Sequence, residues 1–227
     1  MTTVKDIGLL RTAEDLANAV EKIGFLPFFK NGIPGFSIDE HTPRELWFTS
    51  VEGPWEWKGQ AIRSGICSYG KVFKGKAGYI SMKFLPDFLN YRRDGYDYDS
   101  RYDDGLMPAS DFAVIKVLDT GGAMLSTELK EKSGYGRDGR KGFDRIITRL
   151  QMQGYVTVAD FEYSADKYGN TYGWGTAKYS TFEELYGYDF VRSAYKRKPG
   201  ESFGILIDQL KIILPDVSEK ALARFLV

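Results

Sequence analysis

The sequence predicts an α+β fold, and three observations carry that reading. A helical stripe of Phe143, Ile146, Ile147 and Leu150 runs straight into a partly alternating stretch with Val156, Val158 and Phe161. DKYGN at 166–170 reads as a tight turn that sends the chain back as a second strand, TYGWGTAKYS. Both ends of the chain carry amphipathic segments of helical length. The 227 residues suffice for one large or two small domains, and a hydrophobic content of 43% supports a sizeable core.

Taken in order, Thr12 and Asp15 form a capping-box-like start, with Asp in place of Glu. Leu16, Ala19, Val20 and Ile23 follow at helical spacing, so a helix is expected over 13–23, ended by Gly24. FLPFFKNGIPGFSIDE is interrupted by Pro27, Pro34 and Gly35 and reads as a compact packed loop. Glu45–Phe48 is expected as a short strand, and Trp55–Arg63 as a helical turn opening at Pro54, where proline is tolerated. Lys71–Ser81 reads as a hairpin or short strands, and Pro86 to about Arg92 as a short helix. Residues 94–106, DGYDYDSRYDDGL, read as an acidic loop with local Asp–Arg pairs. They lack the ligand order of a calcium loop, so no metal is expected there.

From 110 onward the pattern is clearer. Phe112, Ile115 and Val117–Leu118 mark a helix over about 110–118, broken by Gly121–Gly122. Ser126 caps a second helix closed by Gly134, and a third runs from about Lys141 to Gly154. Three helices, a strand, a hairpin turn and a strand are the order of a winged helix, whose third helix faces the major groove and whose hairpin forms the wing. Thr181 then caps a short helix, and two further helices flank Pro215. The expected division is 1–107, a mixed and aromatic-rich α/β region; 108–180, the winged helix; and 181–227, a C-terminal helical segment packed back on the body.

Composition excludes several classes. Thirty-one basic residues balance 31 acidic ones, so any polyanion must be held by a local patch. One cysteine, Cys67, and one histidine, His41, leave no internal disulfide and no Cys/His zinc set. The first residues lack the pattern of a signal peptide, and no stretch reaches the length of a membrane span, so a cytoplasmic chain without membrane contact is expected. No nucleotide-binding loop or dinucleotide fingerprint is present, and no cofactor is expected.

The strongest patch is basic. Residues 137–149 hold five cations, Arg137, Arg140, Lys141, Arg145 and Arg149, against Asp138 and Asp144. That excess suits phosphate contact, which releases condensed counterions. With Thr148 on the same helix face and Lys167 in the wing at Lys167–Asn170, these are the candidate contacts to double-stranded DNA. A winged helix that meets protein instead is the other reading of the same face, with no partner identified. A second basic cluster, Arg192, Lys196, Arg197 and Lys198, reads as a phosphate contact or a solvated turn. Gln151 and Gln153 lie about 200° apart on a helix at 3.6 residues per turn, which points to a structural role at the helix end. Of the carboxylates, Asp39, Glu40 and Glu56 are weak candidates for acid–base chemistry.

GFLPFFKNGIPGFSIDE, WEWKGQ, YGKVFKGKAGYISMKFLPDFLNYRRDGYDYDSRYDDG and GFDRIITRLQMQGYVTVADFEY…YGWGTAKYSTFEELYG resemble a bacterial branch related to the winged-helix DNA glycosylases that excise alkylated bases and unhook interstrand crosslinks. The likeness spans roughly 15–190. In those glycosylases a Gln-x-Gln or Gln-x-Asp motif after the first helix positions the attacking water. Here the corresponding stretch is Gly24–Phe28, so Leu26 and Phe28 stand where the polar pair belongs. The resemblance therefore implies nucleic-acid binding without the standard catalytic pair. A divergent glycosylase or hydrolase working through other carboxylates is the alternative.

Overall fold

The computed structural model describes residues 2–48, 52–165, 167–168 and 171–226. One antiparallel six-stranded sheet, in the order β1-β3-β2-β5-β6-β4, organises the α+β chain. Its strands are β1 (Phe25–Pro27), β2 (Cys67–Phe73), β3 (Lys76–Ser81), β4 (Met124–Leu125), β5 (Val156–Ala165) and β6 (Thr171–Thr181). The helices are α1 (Ala13–Ile23), α2 (Ile38–His41), α3 (Pro54–Arg63), α4 (Leu85–Arg93), α5 (Tyr98–Asp103), α6 (Ala109–Gly121), α7 (Ser126–Lys132), α8 (Phe143–Met152), α9 (Phe182–Tyr186), α10 (Tyr188–Val191), α11 (Pro199–Ile213) and α12 (Glu219–Leu226). Among the described residues no helix is long and apolar enough to cross a membrane.

Local chemistry accounts for most of these boundaries. In α1 the Thr12 hydroxyl accepts the Asp15 N–H at 3.0 Å, and the Asp15 carboxylate accepts the Thr12 N–H at 3.1 Å. This capping box leaves the apolar stripe Leu16, Ala19, Val20 and Ile23 to face the core. Proline opens α3 and α11 without loss of a helical hydrogen bond. The β2–β3 turn is Lys74–Gly75, both at positive φ (52° and 73°), the geometry that matches strand twist in a two-residue hairpin. Thr181 caps α9 by accepting the Glu184 N–H.

Four segments depart from the sequence-based reading. Glu45–Phe48 is no strand; a single 3-10 turn covers Arg44–Leu46. The packed loop after Gly24 holds β1, which pairs with β3, and the short α2. The acidic stretch contains α5, because Tyr98 and Tyr102 fall one turn apart and pack on Phe112 of α6, Tyr102 stacking at 4.0 Å between ring centroids. Its charge pairing is distant rather than local: Asp97 pairs with Arg192, and Arg101 donates to the Arg93 carbonyl. Ser126 is the first residue of α7 and caps nothing; Leu125 holds the cap position.

Two hydrophobic clusters flank the sheet. The larger unites the first 89 residues with the C-terminal helices, joining for example Phe28, Phe36 and Phe88 to Leu206, Leu210 and Phe225. The smaller takes in α6, α7, α8, β5 and β6, with Val114, Leu118, Leu129, Ile147 and Leu150 at its centre. The two meet where β2 lies beside β5, in register at Tyr69 and Val158. Side chains reinforce that seam. Ser68 Oγ and Thr157 Oγ1 are 3.1 Å apart, and Thr157 Oγ1 donates to the Tyr69 carbonyl at 3.1 Å. Gln151, buried at the end of α8, accepts the Lys71 N–H at 2.9 Å and donates to the Ile147 carbonyl at 3.1 Å. Gly70 admits this approach: a Cβ there would lie 3.1 Å from the Gln151 carbonyl oxygen.

The two glutamines should therefore differ in equilibrium denaturation. Gln151→Ala removes the partner of the half-buried Lys71 N–H and leaves a cavity at a buried side chain, and is expected to lose about 1–2 kcal/mol. Gln153→Ala removes an amide whose oxygen is buried without a partner and should stay within about 0.5 kcal/mol of the parent.

Candidate nucleic-acid interface and aromatic shell

α8 starts after Gly142, whose φ of 100° only glycine adopts comfortably. Phe143, Ile146, Ile147, Leu150 and Gln151 turn inward, which leaves Asp144 and Arg145 exposed and Thr148 and Arg149 half-buried. Arg137, Lys141 and Arg145 are exposed and form no ion pair among the described residues. Arg137 and Lys141 line an open hollow of about 490 Å³ together with Lys130, Tyr135, Glu131 and Asp144. Arg140 is exposed but partly engaged: it donates to the Ser133 carbonyl at 3.2 Å and lies 4.9 Å over the Tyr135 ring.

Arg149 is placed differently from its neighbours. Its Nε and Nη2 donate to Asp111 of α6 at 2.6 and 2.5 Å, and Asp111 is fully buried. The guanidinium is thus the counterion of an internal carboxylate and ties α8 to α6 rather than standing as a free cation. The wing expected at Lys167–Asn170 falls partly outside the described residues. Lys167 itself is exposed, with its amine 4.8 Å over the Tyr168 ring. In the second basic cluster, Arg192 pairs with Asp97 and Arg197 with Asp87, so neither is free.

Three lysines missed by the sequence reading extend the basic face. The β2–β3 turn abuts α8: a Cβ on Gly75 would lie 3.4 Å from the Thr148 methyl and 3.7 Å from the Met152 sulfur. Lys71, Lys74 and Lys76 of that hairpin are exposed. The spaced lysines of YGKVFKGKAG were the available signal, but only the tertiary packing brings them beside α8.

On the other side of the seam, α3 and the end of β1 build an aromatic shell. Phe28 meets Trp47 at 5.7 Å, Trp55 at 5.3 Å and Tyr69 at 6.3 Å, and Tyr69 meets Tyr79 at 4.8 Å and Phe161 at 5.8 Å. Leu26 and Phe28 are buried within it. Inside this shell sits Lys58, only 8% exposed, with its amine 4.3 Å over Phe161 and 5.2 Å over Trp55. It has no hydrogen bond or ion pair among the described residues, and burial pushes its pKa down to about 8, against a smaller opposing pull from Glu56. The indole N–H of Trp47 and the hydroxyl of Tyr79 are buried without partners.

Two of the three candidate carboxylates, Glu40 and Glu56, are engaged in local hydrogen bonds. Glu40 accepts the Gly35 N–H at 2.8 Å and the Ser37 hydroxyl at 2.6 Å, and Glu56 accepts the Gly53 N–H at 2.9 Å. Asp39 is half-buried, and its backbone N–H donates to the Phe28 carbonyl. His41 Nε2 lies 2.8 Å from the Gly35 carbonyl. Cys67 is buried, and desolvation pushes its thiol up to about 12, which leaves it inert as a nucleophile.

Arg149→Ala should destabilise by about 3 kcal/mol or more, because it leaves a buried carboxylate unpaired. Adding Asp111→Ala should recover much of that loss in a double-mutant cycle by urea denaturation. Lys58 carries a pH signature. Its folded pKa is lower than that of the unfolded chain, so between about pH 8 and 10 the unfolded state binds more protons and stability rises with pH. A drop from 10.5 to about 8 corresponds to a penalty of roughly 3–4 kcal/mol below pH 8. Lys58→Met should be more stable by that order at pH 7 and lose the rise; parallel curves for the two proteins across pH 7–10 would contradict it.

No curated protein and no solved structure matches the chain. Residues 10–227 match the family described as AlkZ related, whose namesake AlkZ is a DNA crosslink-repair glycosylase. With nearly its whole length covered by that match, the chain belongs to the AlkZ-related family.

Proposed function

We propose that this is a cytoplasmic, DNA-binding protein of bacterial DNA-damage repair, lacking the standard glycosylase pair, whose 108–180 region acts as a winged helix. The observation that carries the reading is a set of exposed cations, unpaired among the described residues: Arg137 and Lys141 in the turn before α8, and Arg145 on its outer face. Element order supports the architecture: α6, β4, α7, α8, β5 and β6 follow one another, with β6 bonded to both β4 and β5. In this reading α8 meets the duplex, Arg140, Thr148 and Lys167 add contacts at its borders, and Lys74 and Lys76 reach neighbouring phosphates. Arg149 acts indirectly, by holding α8 on α6.

The absence of the standard pair is supported by the buried Leu26 and Phe28, an alkyl chain and a phenyl ring that offer an attacking water no hydrogen bond. Glu40 and Glu56, bonded to nearby backbone N–H groups, favour a binding role over carboxylate catalysis at these positions.

Fluorescence anisotropy with duplex DNA across a salt series tests the proposal. Affinity should fall steeply with salt, each neutralised phosphate contributing about 0.9 to the log–log slope. Replacing Arg137, Lys141 and Arg145 together by Ala should reduce that slope by roughly 2–3. Binding that ignores salt, or that survives the triple change intact, refutes it.

A further inference from the structure

We propose that Lys58 is an imine-forming amine and that its partner is the ring-opened deoxyribose aldehyde of an abasic site in DNA, an inference that rests on the DNA-binding reading above. Its basis is the mismatch between Lys58 and its surroundings. A buried lysine held for structural reasons pairs with a carboxylate; among the described residues Lys58 forms no ion pair, and Glu56 exerts only a weaker pull than the desolvation it opposes. Glu56 on the same helix is bonded to the Gly53 N–H, and Asp160 on β5 is taken by Arg63 at 2.5 Å. The remaining titratable groups around it, Tyr69 of β2 and Tyr163 of β5, are both pushed above their ordinary range by burial and stay neutral. What faces the amine is the Phe161 ring and the Trp55 ring.

Such an environment favours the neutral amine, the form that attacks carbonyl carbon. The amine also lies close to the surface. Trp55 and Phe161 are both half-buried, Phe29 packs on Trp55 at 6.0 Å and is 41% exposed, and Phe48, next to Trp47, is 83% exposed. Flat rings at a rim are surfaces on which unpaired bases stack. The buried, unpartnered Trp47 N–H offers one donor to an acceptor brought in by a ligand.

The step balances without an oxidant or reductant. The Nζ lone pair forms a bond to C1′ of the open-chain sugar, one proton moves from nitrogen to the former aldehyde oxygen to give the carbinolamine, and a second N–H proton leaves with that hydroxyl as water when the C1′–O bond breaks, leaving the imine. Hydrolysis reverses it.

Duplex DNA containing one abasic site, incubated with the full chain and cyanoborohydride, tests the inference, with anisotropy on the same duplex run in parallel. The expected result is a covalent protein–DNA adduct that maps by peptide mass to Lys58, rises in yield from pH 6 to 9, and drops at least tenfold in Lys58→Arg, which keeps the charge but forms no imine. Mapping the adduct on the parent protein decides the matter even where the variant fails to fold. Salt-dependent binding with no adduct, or with an adduct at another amine, overturns this inference and leaves the DNA-binding reading standing. Neither binding nor adduct overturns both.

Discussion

The junction between β2 and β5 is the constraint on which the molecule depends. It joins two hydrophobic clusters built from different parts of the chain, and Gln151 reinforces it by supplying a side-chain acceptor to the Lys71 N–H. Because Gln151 is the penultimate residue of α8, the same bond that closes the sheet also sets where α8 lies against the β2–β3 turn. The register of one amide thus decides which cations share a surface: Lys74 and Lys76 come to stand beside Thr148 rather than on a remote hairpin.

Charge in the sequence and charge available to a partner are different quantities here. Residues 137–149 carry five cations, yet Arg149 neutralises a buried aspartate and Arg140 is half-engaged by Ser133 and Tyr135. Arg192 and Arg197 are likewise drawn into pairs with Asp97 and Asp87. A bidentate pair to a fully buried carboxylate is geometrically specific, so Arg149 fixes the helix that presents Arg145 one turn away. Arg137, Lys141 and Arg145 form no ion pair among the described residues, although Glu131 and Asp144 share the hollow with the first two, and the local field comes from those cations.

Much of this was legible in the residues, and the exceptions have physical causes. The capped and striped α1 and the striped α8 follow the sequence pattern nearly to the residue, as do the break at Gly121–Gly122 and the helices on either side of Pro215. α5 was hidden because its aspartates mask the Tyr98–Tyr102 spacing, and its stability comes from Phe112 on another helix. β1 and β4 are too short to show a period of two and exist only by pairing with β3 and β6. The pairing of Arg149 with Asp111 spans 38 residues, and the seat of Lys58 over Phe161 spans more than a hundred; no local pattern encodes either. WEWKGQ shows a lysine among tryptophans, which reads equally well as a solvated helix face.

Lys58 and Arg149 make opposite use of a similar resource. Arg149 keeps one side toward solvent and a carboxylate on the other, so its charge is compensated twice. Lys58 gives up nearly all of its hydration and gains two ring faces, which compensate an ammonium only in part. A methionine of similar length would fill the same space with no charge to desolvate. A group that weakens the fold where a neutral substitute would fit is an argument for chemistry at that position. The neighbouring Trp47 N–H and Tyr79 hydroxyl, both buried and unpartnered, extend the argument from one residue to the shell around it. In that shell, the rings that enclose Phe28 also strip water from the Lys58 amine and lower its pKa to about 8, so that a minor fraction is uncharged near neutral pH.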